Sequence, residues 1–141
     1  MYKKILVPVD LADESSWKST LPVATKFAHL FDGSILVVTI VRNWQAYWEG
    51  ANLPAYEELI ERSERELKEI VSKCVTSEVS IRTMVGQGSV YGEILRIGQD
   101  EQVDLILMAA HRPGIRDHLI GPKAARVVGH SQCSVLVVRG D

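Results

Sequence analysis

The sequence predicts an α/β domain, a single doubly wound five-stranded parallel sheet of Rossmann-like kind, on three observations. Five short runs rich in Val, Ile and Leu, at residues 5–9, 34–41, 78–85, 103–109 and 134–138, alternate with segments of helical periodicity. Four of these runs are almost continuously apolar, as strands buried on both faces of a parallel sheet are. No repeat or low-complexity linker interrupts the β-α-β-α-β-α-β-α-β order, and right-handed crossovers then make the doubly wound sheet the economical topology. A length of 141 residues is that of one domain spanning positions 1–141.

Taken in order, residues 5–9 form a first, central strand. Residues 16–31 carry Trp17, Leu21, Ala24, Phe27, Ala28 and Phe31 at spacings of three and four, predicting a helix that Pro22 either kinks or starts late. Residues 34–41 are the second strand. The connection over residues 42–55 is long and bears Trp44, Tyr47 and Trp48, so it reads as a lid, an interface or a segment packed on the next helix. That helix, residues 56–74, sets Tyr56, Leu59, Ile60, Leu67, Ile70 and Val71 on one side and Glu, Arg and Lys on the other. Residues 78–85 alternate apolar and polar, which suits an edge strand with one wetter face. Gly86, Gln87, Gly88 and Ser89 open a helix over residues 90–99, with Gly88 giving the tight turn and Ser89 the N-cap. Residues 103–109 make the second central strand, residues 123–130 the last helix, and residues 134–138 the other edge.

Composition narrows the function classes. Apolar residues are 46% and charged residues 24%, with 16 Lys and Arg against 18 Asp and Glu, a balance that suggests neither a nucleic-acid binder nor a disordered chain. The apolar runs fall far short of the roughly 20 residues needed to span a membrane. The N-terminal run lacks a cleavage signature, and Cys74 and Cys133 are too isolated for a zinc site or disulfide framework. The expectation is a reduced, cytoplasmic protein.

Ligands of doubly wound sheets collect at the carboxyl ends of the strands where strand order reverses. Asp10, at the end of the first strand, can hold a ribose hydroxyl or a cation, or cap the following helix. After the fourth strand, residues 111–130 hold Arg112, Arg116, Lys123 and Arg126 against the single acid Asp117, and Gly121 stands immediately before a helix. A helix start of this kind favours a phosphate; a solvated basic loop is the plainer reading. The fingerprints of dinucleotide-binding and P-loop proteins are absent, as are the motifs of ATP pyrophosphatases (SGGxDS) and nucleotidylyl transferases (HxGH). No dedicated catalytic constellation is visible.

The start KKILVPVD, the stretch ILMAAHRPGIRDHLIGPKAARVV and the ending HSQCSVLVVR resemble the universal stress protein family. More narrowly they resemble its F/G-type branch, in which an HRP sequence follows the fourth strand. The likeness spans the chain. It implies an adenine nucleotide alpha-hydrolase-like sheet of order 3-2-1-4-5 and a homodimer pairing through residues 134–139. It also implies ATP or AMP as a regulatory ligand in stress response, Mg2+ accompanying ATP, and a regulatory protein partner of unspecified kind. Two further readings stay open: a stress protein acting through protein contacts without nucleotide, and a slow ATPase or self-phosphorylating protein.

By the same resemblance Pro8, Val9 and Asp10 line the adenosine pocket. Thr39 offers backbone groups to the adenine edge, and Met108 packs on the base. Ala109, His111, Arg112, Gly121, Pro122 and Lys123 border the phosphates. The family's motif G-x2-G-x9-G-[ST] is matched only in part. Ala109 and Arg112 stand at the first two glycines, Gly121 at the third with the spacing one residue short, and Pro122 replaces the Ser or Thr. Pro122 has neither hydroxyl nor N–H, a loss that the charge of Lys123 can offset.

Overall fold

Strand alternation sorts the apolar runs into two cores, one on each face of the sheet. The computed structural model of the chain describes residues 1–42, 53–75, 78–110 and 121–140. In β1 (Lys4–Pro8), Ile5 and Val7 face one layer of helices and Leu6 the other, and all three are at most 1% exposed. Chain order continues with α1 (Ser15–Lys18), α2 (Thr20–Phe31), β2 (Ser34–Val41), α3 (Leu53–Cys74), β3 (Ser80–Gln87), α4 (Val90–Asp100), β4 (Leu105–Ala109), α5 (Pro122–His130) and β5 (Ser134–Val138). The strands pair in parallel in the order β3-β2-β1-β4-β5, as the resemblance implied.

One core gathers Val7, Val37 and Leu107 of the sheet with Leu21, Ala24 and Ala28 of α2 and Leu67 of α3. The opposite core gathers Leu6, Leu36, Val38, Ile106 and Met108 with Ile94 and Ile97 of α4 and Ala124 and Val127 of α5. Each fully buried aliphatic side chain contributes on the order of 1.5–3 kcal/mol, so the central strands anchor everything their ends present.

The expected helix over residues 16–31 divides at Ser19, which ends α1 and begins α2. Pro22 thereby falls in the first turn of α2, where its missing N–H costs no intrahelical bond; the late start, and not a kink, is what forms. The third strand runs to Gln87, because its pairing with β2 continues to the Val41–Gln87 register, so Gly86 and Gln87 end the strand instead of opening the helix. Gly88, with φ of 126°, makes the turn, and the Ser89 hydroxyl accepts the Gly92 N–H at 3.2 Å as N-cap of α4. The fourth strand starts at Leu105, since Gln102 adopts a φ of 55° and the Val103 N–H still donates to Gly98 of α4. The Tyr56 hydroxyl donates to the Gln87 carboxamide, tying α3 to the end of β3, and burial pushes its phenol above the usual range. Trp44, Tyr47 and Trp48 lie outside the described residues. Among those described, no helix is long and apolar enough to cross a membrane.

Candidate functional site

Strand order reverses between β1 and β4, so the connections leaving their carboxyl ends diverge to opposite faces of the sheet and leave a crevice between them. A cavity of about 270 Å3 occupies it, near the low end of the range for small-molecule sites. Among the described residues its walls are Pro8, Val9 and Asp10 at the end of β1, Asp13 and Ser16 at α1, Ile40 and Arg42 at the end of β2, Val90 and Ile94 of α4, Met108, Ala109 and Ala110 at the end of β4, and Gly121, Pro122, Lys123 and Ala124 at the start of α5.

The wall after β1 is fixed by side chains. The Val9 N–H donates to Val38 at 2.8 Å, continuing the sheet one residue past β1. Ser16, buried at 9% exposure, then closes the turn: its hydroxyl accepts the Asp10 N–H at 2.8 Å and donates to the Asp13 carbonyl at 2.7 Å. The Asp10 carboxylate accepts the Ala12 N–H at 2.9 Å, and the Asp13 carboxylate accepts both the Ser15 N–H and the Ser15 hydroxyl. Asp10 thus shapes the turn that precedes α1, whose N-cap position is Glu14; the cap alternative raised for Asp10 does not form.

The wall at α5 is fixed by backbone conformation. Gly121 sits at φ 82° and ψ 157°, a region essentially restricted to glycine, and Pro122 follows at the first helical position. Ala124 and Val127 bury the inner side of α5, which leaves Lys123 half-buried at the cavity.

Of the residues singled out in the sequence, Pro8, Val9, Asp10, Met108, Ala109, Gly121, Pro122 and Lys123 come together here. Thr39, whose expected role is through its backbone groups, turns its side chain away from the cavity. It is 4% exposed, and its place in the alternation of β2 puts it with Ile35 and Val37 on the far side of the sheet, while its neighbour Ile40 reaches the cavity. His111 and Arg112 lie outside the described residues. Ile40 falls in the stretch 39–42 that the strand-end rule singles out, while sequence reasoning passed over Ser16, Val90 and Ile94. The i, i+4 spacing after Ser89 carried the signal for the last two. Among the described residues, no three His, Cys, Asp or Glu side chains gather as a metal site.

A model of the universal stress protein family matches residues 1–139. The chain belongs to the universal stress protein family. Universal stress protein G of Salmonella typhimurium is 28% identical over 143 residues, covering 99% of this chain and 100% of that protein, in keeping with the F/G-type resemblance. Universal stress protein UspA of Lactobacillus plantarum shares the fold with a TM-score of 0.73 at 22% identity, over 98% of both chains. A universal stress protein solved in complex with cAMP aligns with a TM-score of 0.65 at 20% identity, over 99% of this chain and 98% of that one. One from Archaeoglobus fulgidus in complex with dAMP aligns at 0.63 and 14% identity, over 97% and 98%. At these identities the structural likeness speaks for the fold.

Proposed function

We propose that this universal stress protein binds an adenine nucleotide in the cavity between the ends of β1 and β4, as a regulatory ligand and without fast turnover. The observation that carries the reading is the composition of that one cavity. An apolar floor of Val9, Ile40, Ile94 and Met108 fits a base, carboxylates at Asp10 and Asp13 suit sugar hydroxyls, and a helix start with Lys123 favours a phosphate. The complexes of its structural neighbours with cAMP and dAMP point the same way. The family resemblance favours ATP with Mg2+; the ion would arrive with the phosphates. Calorimetric titration of nucleotide-stripped protein with AMP and Mg-ATP should show micromolar binding of at least one, lost in Ala109→Leu, which fills the cavity. Absence of heat up to millimolar nucleotide contradicts the reading.

A second reading, a cytoplasmic stress protein acting through protein contacts alone, is favoured by Pro122, which takes a donor from the phosphate side. In either case we place a homodimer contact at β5, a half-buried apolar strand with no strand beyond it among the described residues. Val138→Lys should convert the dimer to monomer in light scattering, with circular dichroism unchanged; a persistent dimer refutes that contact.

A further inference from the structure

We propose that the edge strand β3 and the flank of α3 beside it form a weak self-association face, which takes a second copy of the chain across a two-fold axis. This face stands at the opposite edge of the sheet from β5 and is independent of the nucleotide reading. β3 is the longer edge, eight residues against five in β5, and no strand lies beyond it among the described residues. Nothing within Ser80–Gln87 blocks pairing: it holds no proline, and its register with β2 runs one to one from Ser34–Ser80 to Val41–Gln87 without a bulge. Its single charged side chain, Arg82, is engaged by Glu101 at 2.7 Å.

Charge complementarity names the occupant. α3 packs on β2 and β3, and a groove between α3 and the edge is lined by Lys68, Val71 and Ser72 on one side and Ile81, Arg82 and Thr83 on the other. Counting back from Lys68 by three, four and seven residues places Arg65, Glu64 and Glu61 on the same flank, and all four are exposed. Glu61 with Arg65 and Glu64 with Lys68 have the i, i+4 spacing, yet among the described residues none of the four forms an ion pair. In α4 that spacing is used, by Arg96 and Asp100 at 2.8 Å. A two-fold axis sets the α3 helices of two copies antiparallel. An axis level with the midpoint of Glu64 and Arg65 puts Glu61 opposite Lys68 of the second copy, and Glu64 opposite its Arg65.

The strand agrees with the same axis. Lys68 stands beside residues 81–83, and Tyr56 is bonded to Gln87, so α3 runs antiparallel to β3. At about 1.5 Å per helical residue and 3.3 Å per strand residue, the level of Glu64 and Arg65 is that of Thr83 and Met84, the middle of β3. Antiparallel pairing about that point joins the whole strand to its copy. With strands about 4.8 Å apart, a helix seated over β2 and β3 lies roughly 10 Å from its counterpart, within side-chain reach.

Exposed ion pairs are individually weak, so the contact forms at high concentration and yields to salt. The test is sedimentation of the full chain, wild type and Val138→Lys, from about 10 μM to about 1 mM at low ionic strength. In both, the weight-average mass should rise above its dilute value and lose most of that rise in about 0.5 M salt. Lys68→Glu should abolish the rise, and adding Glu61→Lys should restore it, because the exchanged charges again meet opposite partners. A mass independent of concentration, a rise that survives Lys68→Glu, or a double variant of normal circular dichroism that does not regain it overturns the proposal. Amide exchange in the wild type tests the strand without a variant: exchange across Ser80–Gln87 should slow as concentration rises, and unchanged exchange there while the mass grows also overturns it.

Discussion

At the end of β1 the chain turns through Asp10, Asp13 and Ser16, and each polar side chain there is engaged in a bond that shapes the loop. Across the cavity, at the start of α5, the chain turns on Gly121 and Pro122 with no side-chain cap bond at all. The first wall is held by polar groups that can be deleted one atom at a time; the second is held by φ and ψ. The contrast shows where binding chemistry can vary. A wall set by backbone conformation keeps its shape when its donors change, so Pro122 can stand beside Gly121 without disturbing the fold. A wall set in part by side-chain bonds loses stability with each such bond removed, while its backbone bonds remain.

The largest effect should come from the backbone-held wall. Gly121→Val forces a branched side chain into a region essentially open to glycine alone, at a cost of about 1–3 kcal/mol and towards the upper end for a β-branched residue. Urea unfolding should report that loss, and amide exchange should localise it to α5; an unchanged midpoint would mean that the positive φ of 82° is not required. Ser16→Ala should follow, at about 1–2 kcal/mol, because it leaves the Asp10 N–H without its hydroxyl partner in a half-buried turn, while the Asp13 carbonyl keeps the Ser16 N–H. Its exchange pattern should change at β1 and α1 and leave α5 alone. The smallest effect belongs to Asp10→Asn, which keeps an oxygen to accept the Ala12 N–H and should shift stability by no more than about 0.5 kcal/mol. A loss as large as that of Ser16→Ala would mean that the charge of Asp10, and not its geometry, holds the turn.

Much of this molecule is legible in its sequence. The apolar runs of β1, β2 and β4 are nearly continuous because both faces of these strands are buried, whereas β5, equally apolar, is only half-buried at the sheet edge. Ser89 after Gly88 announces the start of α4 by its own chemistry. What the sequence conceals follows from geometry that one-dimensional spacing does not encode. The pleat of β2 turns the Thr39 side chain away from the cavity and gives that side to Ile40, while the role expected of Thr39 runs through its backbone groups. Ser16 looks like one polar residue in a helix start, and only the fold shows its hydroxyl bridging Asp10 and Asp13. The break at Ser19 is hidden because the apolar periodicity of α2 continues through Trp17 of α1.

The central claim is where a nucleotide sits. Amide chemical-shift mapping of the labelled full chain during titration with AMP tests it most directly. The expected shifts are confined to Val9, Asp10, Ala109, Ala110, Lys123 and Ala124 and their immediate neighbours, at the carboxyl ends of β1 and β4 and the start of α5. Shifts centred instead on the opposite end of the sheet, around Lys3, Gly33 and Ser80, or spread evenly over the surface, would contradict it.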